Sequence, residues 1–293
     1  MPEGWEWDET LFLGSAPYYQ QGRPPYAPTL AETLREAVPL GAGSRVLDVG
    51  CGPGIIGLAV APFVAEVVGV DPDAGMLAAA RQGAAARGIG NVRWVQARAE
   101  ELPAALEPLH AEESPMGPGQ FDAAIFGQSF HWVDQPLVAA MMRRLLRPGG
   151  AFVHVADHKG PLRDGGPLAD PPPPYAAIRA LVTAWLGPVA RAGQGTLPFG
   201  SPGGEADVLA AAGFAGPERW LLPPDGPLVR SEDDVVAWVW SLSGSAPHHF
   251  GERRAAFEAE LRGVLQAASP VRRFAEWLPE TEVRVWRNPG PLG

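Results

Sequence analysis

Apolar positions along the chain fall into two alternating rhythms. Leu30, Leu34, Ala37 and Val38 recur at helical spacing, predicting a helix over Pro28–Val38. Val46-Leu47-Asp48-Val49 is a short apolar run that stops at glycines, the signature of a buried strand. A helix over about 54–63, a strand over 66–70 and a helix over about 73–87 follow, with Gly88 as a helix stop. Residues 91–96 read as a third strand, 103–120 as a loop-rich connection and 121–126 as a fourth strand buried on both faces. A helix over 135–146 then turns through Arg147-Pro148-Gly149-Gly150 into a strand over 151–156. Strands alternating with helices in this way predict an α/β fold with a doubly wound, mostly parallel sheet.

The rhythm breaks over 158–204, apart from a helix at 175–186. It resumes with a helix near 205–212, a strand near 218–222, helices near 232–242 and 252–267, and an alternating strand over 281–287. In the last helix Phe257, Leu261, Val264 and Leu265 share one face. Residues 1–25 carry Trp5, Trp7, Phe12, Tyr18 and Tyr19 with little periodicity, predicting an arm packed by aromatics. The expected organisation is a single domain: an arm over 1–43, a core over 44–157, a variable cover over 158–250 and a C-terminal helix and strand over 251–293.

Composition narrows the function. At 293 residues and 46% hydrophobic, the chain can bury a large core. A net charge of −10 argues against a nucleic-acid partner, since phosphate binding wants a basic surface. The lone cysteine, Cys51, excludes a disulfide framework and a cysteine metal site. No run has membrane-spanning length and the N-terminus lacks an apolar leader, so a cytoplasmic enzyme is expected.

The candidate chemistry sits at the first strand end. Glycines there let the backbone turn tightly and approach a ligand, and the next helix presents unpaired N–H groups. Asp71, at the tip of the second strand, can accept both hydroxyls of a ribose. Two templates fit. Gly52, Gly54 and Gly57 match the G-x-G-x-x-G of dinucleotide folds. Gly50, Gly52 and Gly54, preceded by Asp48, match G-x-G-x-G.

Further motifs favour the second template: Arg98-Ala99-Glu100-Glu101-Leu102-Pro103, Phe121-Asp122, Gln128-Ser129-Phe130-His131-Trp132 and Leu146-Arg147-Pro148-Gly149-Gly150, in this order. With the arm segment Tyr19-Gln20-Gln21-Gly22-Arg23-Pro24-Pro25-Tyr26, they resemble the class I S-adenosylmethionine-dependent methyltransferases. The arm segment resembles the one that covers the cofactor in relatives of trans-aconitate and other small-molecule methyltransferases. The resemblance implies a Rossmann-like sheet of seven strands, the last antiparallel, and S-adenosylmethionine as cofactor. It implies that Gly50, Cys51, Gly52 and Gly54 flank the methionine moiety, and that Asp48 faces its ammonium. Asp71 would bind the ribose, Pro72 and Met76 would border the adenine, and Ala99, with Glu100 nearby, would meet the ring edge. Gln128 would touch the cofactor, and Tyr19 and Arg23 would close over it. Arg98 stands where the family often has Asp, so the contact to the adenine amino group would fall to Glu100.

Methyl transfer from a sulfonium is a direct displacement that chiefly needs alignment. A base is required only if the acceptor must first lose a proton. His131, Asp157 and His158 lie just beyond strand ends, where ligands of open α/β sheets bind. Each is a candidate base, and each has a plainer reading: His131 packing on Trp132, the other two capping the next segment. No metal is expected. The reading is methyl transfer to oxygen, nitrogen or carbon of a small molecule. Its rivals are a cofactor-binding sensor, a nicotinamide dehydrogenase and a macromolecule methyltransferase.

Overall fold

The computed structural model describes residues 8, 10–110, 120–162, 165–189, 191–192, 195–196 and 204–290, without the side chains of 108–110, 191–192 and 195–196. Two short helices, α1 (Ala16–Gly22) and α2 (Leu30–Ala37), precede the alternating core. The core runs β1 (Arg45–Val49), α3 (Ile55–Val60), β2 (Glu66–Asp71), α4 (Ala74–Ala86), β3 (Val92–Gln96), α5 (Leu102–His110), β4 (Phe121–Gly127), α6 (Gln135–Leu145) and β5 (Leu146–Asp157). Helix α7 (Tyr175–Leu186) and the paired two-residue strands β6 (Arg191–Ala192) and β7 (Gly195–Thr196) follow. The chain ends with α8 (Glu205–Ala211), β8 (Ala215–Leu222), β9 (Leu228–Ser231), α9 (Glu232–Trp240), α10 (Arg254–Ala268), β10 (Arg273–Glu276) and β11 (Thr281–Arg287).

The seven-stranded sheet has the order β3-β2-β1-β4-β5-β11-β8, and β11 is antiparallel to both neighbours. The expected architecture is therefore observed. Side chains alternate across the pleat. Leu47 and Val49 of β1 and Phe152 of β5 face one layer, with Val138 and Met142 of α6 and Leu209 of α8. Val46, Val153 and Val155 face the other, with Leu34 of α2 and Ile56 and Val60 of α3. The first layer is centred on stacked aromatics, Phe126 and Phe152 lying 4.6 Å apart. A third apolar cluster, around Trp240, Phe250, Phe257 and Phe274, holds α7, α9 and α10 together as a cover beside the sheet.

Several elements differ from the sequence expectation. Residues 102–110 form α5 where a loop was expected. Pro103 falls in its first turn, where no N–H is needed, and Leu102 and Leu106 anchor it in the core. The arm contains α1, a helix too short to stand alone and held by docking on α9. Strands β9 and β10 pair with each other across about 40 residues of chain, a contact that local pattern does not reveal. Strand β5 begins at Leu146 rather than 151, because the Arg147–Gly150 turn bulges within the pairing to β4. Trp5, Trp7 and the 111–119 part of the expected connection lie outside the described residues.

Candidate active site

A cleft opens at the C-terminal ends of β1, β2 and β4. Its floor is the turn after β1. The N–H groups of Gly50 and Cys51 both donate to Val70 O, at 2.8 and 3.0 Å, tying the turn to β2. Gly52 has φ +53°, and a Cβ there would meet no atom within 4 Å, so open cleft space begins at its backbone. Gly54 is required for another reason. With φ +76°, its missing Cβ would come within 2.5 Å of Trp94 Cη2 in β3. The indole of Trp94 thus lies under the turn, and Gly54 serves that packing rather than the cleft lining.

Two carboxylates support the turn. Asp71 Oδ2 accepts the Gly52 N–H at 2.8 Å, and Oδ1 accepts the Asp73 N–H at 2.9 Å. A carboxylate offers about four lone-pair sites, so Asp71 keeps acceptor capacity toward the cleft it lines. Burial raises its pKa to about 6, against those two N–H donors. Asp48 lies behind the turn. Its Oδ2 accepts the Gly57 N–H at 2.9 Å, fixing the start of α3, and it does not line the cleft. Burial raises Asp48 to about 7, with the nearby Asp71 charge adding to the shift. The third glycine of the dinucleotide template is thus accounted for by packing, since a Cβ on Gly57 would fall 2.8 Å from Asp48 Oδ2.

The flank along α4 is apolar. Pro72, Met76, Ala97 and Ala99 line it, and Val133 and Trp132 face them. Asp73 N-caps α4 through the Met76 N–H at 3.0 Å. Glu100 reaches the edge of this slot, but its Oε1 accepts the Asp134 N–H at 2.9 Å, so it also fastens the start of α6. Its other oxygen lies 3.5 Å from Arg98 Nε.

Gln128 occupies the far end with φ +53°, an uncommon backbone state for a residue with a side chain. Its N–H donates to Val155 O at 2.9 Å, and its side chain hydrogen-bonds Asp157. Burial raises the Asp157 carboxyl, while Gln128 and Arg23 oppose the shift. The arm forms the roof. Tyr19 and Phe12 meet edge to face at 6.2 Å, and Phe12 meets Trp132 at 6.1 Å. The guanidinium of Arg23 sits 4.9 Å from the Tyr19 ring centre, and its Nη2 donates to Ser241 O at 2.8 Å.

His131 follows directly, packed on Trp132 at 4.9 Å between ring centres. Burial lowers its pKa to about 4, Glu205 opposes, and Lys159 and Arg23 add to the fall, so its imidazole is neutral at physiological pH. His158 is turned toward β8, its Nδ1 accepting from Arg219 Nη2 at 3.0 Å. His154, inside β5, accepts from Arg284 Nη2 at 3.0 Å.

Of the residues singled out by sequence, Tyr19, Gly50, Gly52, Asp71, Pro72, Met76, Ala99, Glu100 and Gln128 line one cleft. Arg23, Asp48, Cys51 and Gly54 stand just outside the lining. Cys51 is buried, with its thiol directed toward Gly69 and burial pushing its pKa up. Leu11, Phe12, Asp73, Ser129, Trp132 and Val133 also line the cleft without having been assigned to it. Trp132 lay within a recognised motif, whereas Leu11 and Phe12 carry no local signal.

A slot with one apolar flank, a carboxylate with spare acceptor capacity and a glycine floor open to the cleft fits a nucleoside joined to an amino acid. Among the described residues no group of His, Cys, Asp and Glu could hold a metal ion, and no helix is long and apolar enough to cross a membrane. Residues 46–150 match the family described as a methyltransferase domain. Nocamycin O-methyltransferase of Saccharothrix syringae is 33% identical over 249 residues, 79% of this chain and 81% of that protein. An uncharacterised methyltransferase of Mycobacterium tuberculosis is 30% identical over 195 residues, 61% of this chain and 71% of that one. Among solved structures, a putative type II methyltransferase from Anaeromyxobacter dehalogenans is 23% identical, with a TM-score of 0.48 over 90% of this chain and 96% of that chain. The chain therefore belongs to the class I S-adenosylmethionine-dependent methyltransferases, enzymes whose cofactor is S-adenosylmethionine.

Proposed function

We propose that the chain methylates an oxygen of a small-molecule acceptor, and that the cleft over β1, β2 and β4 holds the cofactor. The carrying observation is Asp71: a buried carboxylate that already accepts two backbone N–H groups and still lines the cleft. In this reading Asp71 takes the ribose hydroxyls, and Pro72, Met76 and Ala99 border the adenine with Glu100 at its edge. The backbone of Gly50, Cys51 and Gly52 passes beside the methionine end, with Gly54 holding the turn and Asp48 behind it. Gln128 meets the same end, and Tyr19 and Arg23 close the roof. The bound cofactor supplies a methyl group already activated by its sulfonium.

The oxygen acceptor is supported by the O-methyltransferase relative, which matches most of both chains. The small size of the acceptor is supported by the roof of Phe12 and Tyr19, which lines the cleft from the arm. A net charge of −10 disfavours a nucleic-acid acceptor, and the single cysteine suits a reducing, cytoplasmic setting. His131, Asp157 and His158 are the acceptor-side candidates. A neutral imidazole with a pKa near 4 is a weak base, so His131 serves best as a hydrogen-bonding wall of the acceptor site. Asp157 holds the Gln128 side chain, and His158 is directed to Arg219.

Calorimetric titration with S-adenosylmethionine tests the cofactor cleft. Wild type is expected to bind, and Asp71→Asn to bind about 10- to 100-fold more weakly, the loss for weakened charge-assisted hydrogen bonds. Equal affinity in the two proteins would remove Asp71 from the site. Incubation with labelled cofactor and a metabolite extract tests the acceptor, with a labelled small molecule as the expected product.

A further inference from the structure

Of the 23 basic side chains in this sequence, one is lysine: Lys159. Arginine makes the ion pairs recorded for the described residues, including Arg262 with Glu232, Arg230 with Glu276 and Arg219 with Glu282. Lys159 takes part in none of them. It is exposed, two residues beyond Asp157 at the end of β5, where ligands of open α/β sheets gather. Its charge is felt by His131 after β4 and by His154 within β5.

A second cation approaches His131 from the roof. Arg23 stands over Tyr19, and its buried Nε has no hydrogen-bond partner. Lys159 and Arg23, carried on two different elements, thus both act electrostatically on the His131 imidazole. The acids near this group include Asp157, engaged by Gln128, Glu205, near Arg284, and Glu282, paired with Arg219. None of these is an ion-pair partner of Lys159 among the described residues.

Arginine and lysine differ in what they recognise. A guanidinium suits a fixed, planar, bidentate partner, whereas an ammonium on a four-carbon stem is a mobile point charge that follows its ligand. A chain that otherwise uses arginine throughout keeps its one ammonium just past the end of β5, two residues from the Asp157 that engages the cleft residue Gln128.

We propose that Lys159 is an acceptor-binding residue and that the acceptor is a small molecule carrying an acidic oxygen, a carboxylate or an acidic enol or phenol, bound as its anion. This rests on the small-molecule methyltransferase reading above. An acceptor already ionised needs no strong base, which accords with the neutral wall that His131 presents. Lys159 and Arg23 would hold the negative charge beside His131 and Gln128.

A metabolite extract is split on an anion exchanger into retained, acidic and flow-through, neutral fractions. Each is incubated with the full chain and S-adenosylmethionine labelled in its methyl group. The label is expected in a product from the retained fraction. Lys159→Met is expected to raise the amount of that fraction needed for half-maximal rate by at least about tenfold, with the saturated rate little changed. Lys159→Arg should recover part of the loss, and matched melting curves would show that both variants fold. The single lysine also permits a direct reading. After reductive methylation with 13C-formaldehyde, the one side-chain dimethylamine resonance should shift when the retained fraction is added in the presence of S-adenosylhomocysteine, and stay fixed with the flow-through. Label arising from the flow-through alone, or an unchanged half-saturation in Lys159→Met, would overturn the proposal. Cofactor binding without product from either fraction would instead remove the small-molecule reading beneath it.

Discussion

On the sheet side of the cleft the main chain does the shaping. Gly50, Gly52 and Gly54 all have positive φ, their N–H groups are taken up by Val70, Asp71 and Cys51, and the turn rests on one indole. On the cover side, side chains and one close helix crossing do the same task. Ser15 Oγ donates to Trp240 O at 2.8 Å, Gln21 Nε2 to Asp234 Oδ1 at 3.0 Å and Arg23 Nη2 to Ser241 O at 2.8 Å. At the crossing, Gly22 lies so near α9 that a Cβ would fall 2.4 Å from the Ala237 backbone. A backbone-built wall tolerates few residue types and announces itself in sequence. A wall built from distributed side-chain contacts accepts many solutions, and no single motif marks it.

If that contrast is sound, the largest loss should follow Gly54→Ala. It combines a left-handed backbone with collision against Trp94, and about 3 kcal/mol of stability should be lost in denaturant unfolding. In a Trp94→Leu background the same change should cost about 1–2 kcal/mol, the backbone share alone.

Next is the pH response of the cofactor-free protein. Asp48 and Asp71 are both raised above the usual carboxylate pKa of 3.8, to about 7 and about 6. The folded state therefore holds more protons than the unfolded state across this window, and stability falls as pH rises from about 4 to 7. With Asp48→Asn the fall between pH 5 and pH 8 should shrink by about 2 kcal/mol, provided the amide oxygen keeps the Gly57 N–H. A variant with the wild-type slope would show that Asp48 is not held in the state its burial dictates.

On the cover side, Gly22→Ala should cost about 1–2 kcal/mol by forcing α1 from α9. A loss larger than that of Gly54→Ala would reverse the contrast. The smallest effect is expected for Ser15→Ala, about 1 kcal/mol for one buried hydrogen bond, read as a shift in unfolding midpoint.

The same contrast explains what could be read from the sequence. The alternation of strands and helices follows from hydrophobic period, and the strand ends were marked by glycine and aspartate. The slot residues Pro72, Met76 and Ala99 followed once five motifs stood in order. What escaped depends on contacts distant along the chain. Helix α1 exists because α9 receives it, and β9 and β10 exist because they find each other. Helix α5 was hidden by Pro103, which sits in the first turn, where the missing N–H costs little. In the site, the reason for Gly54 lies in Trp94, 40 positions away, and Glu100 is shared with the N–H of Asp134 on another element.

The arm's attachments reach into heredity and design. Its hydrogen bonds to Trp240, Ser241 and Asp234 run to the C-terminal cover rather than to the β1–α3 turn it overhangs. Residues about 10–27 and 228–268 thus form one unit of exchange, although two hundred positions separate them. A recombinant that imports a foreign cover to change the acceptor would leave Gly22 and Arg23 facing a helix they were not matched to. Transplanting both segments together is the cut that respects the molecule's own seams, and drift in either segment is constrained by the other.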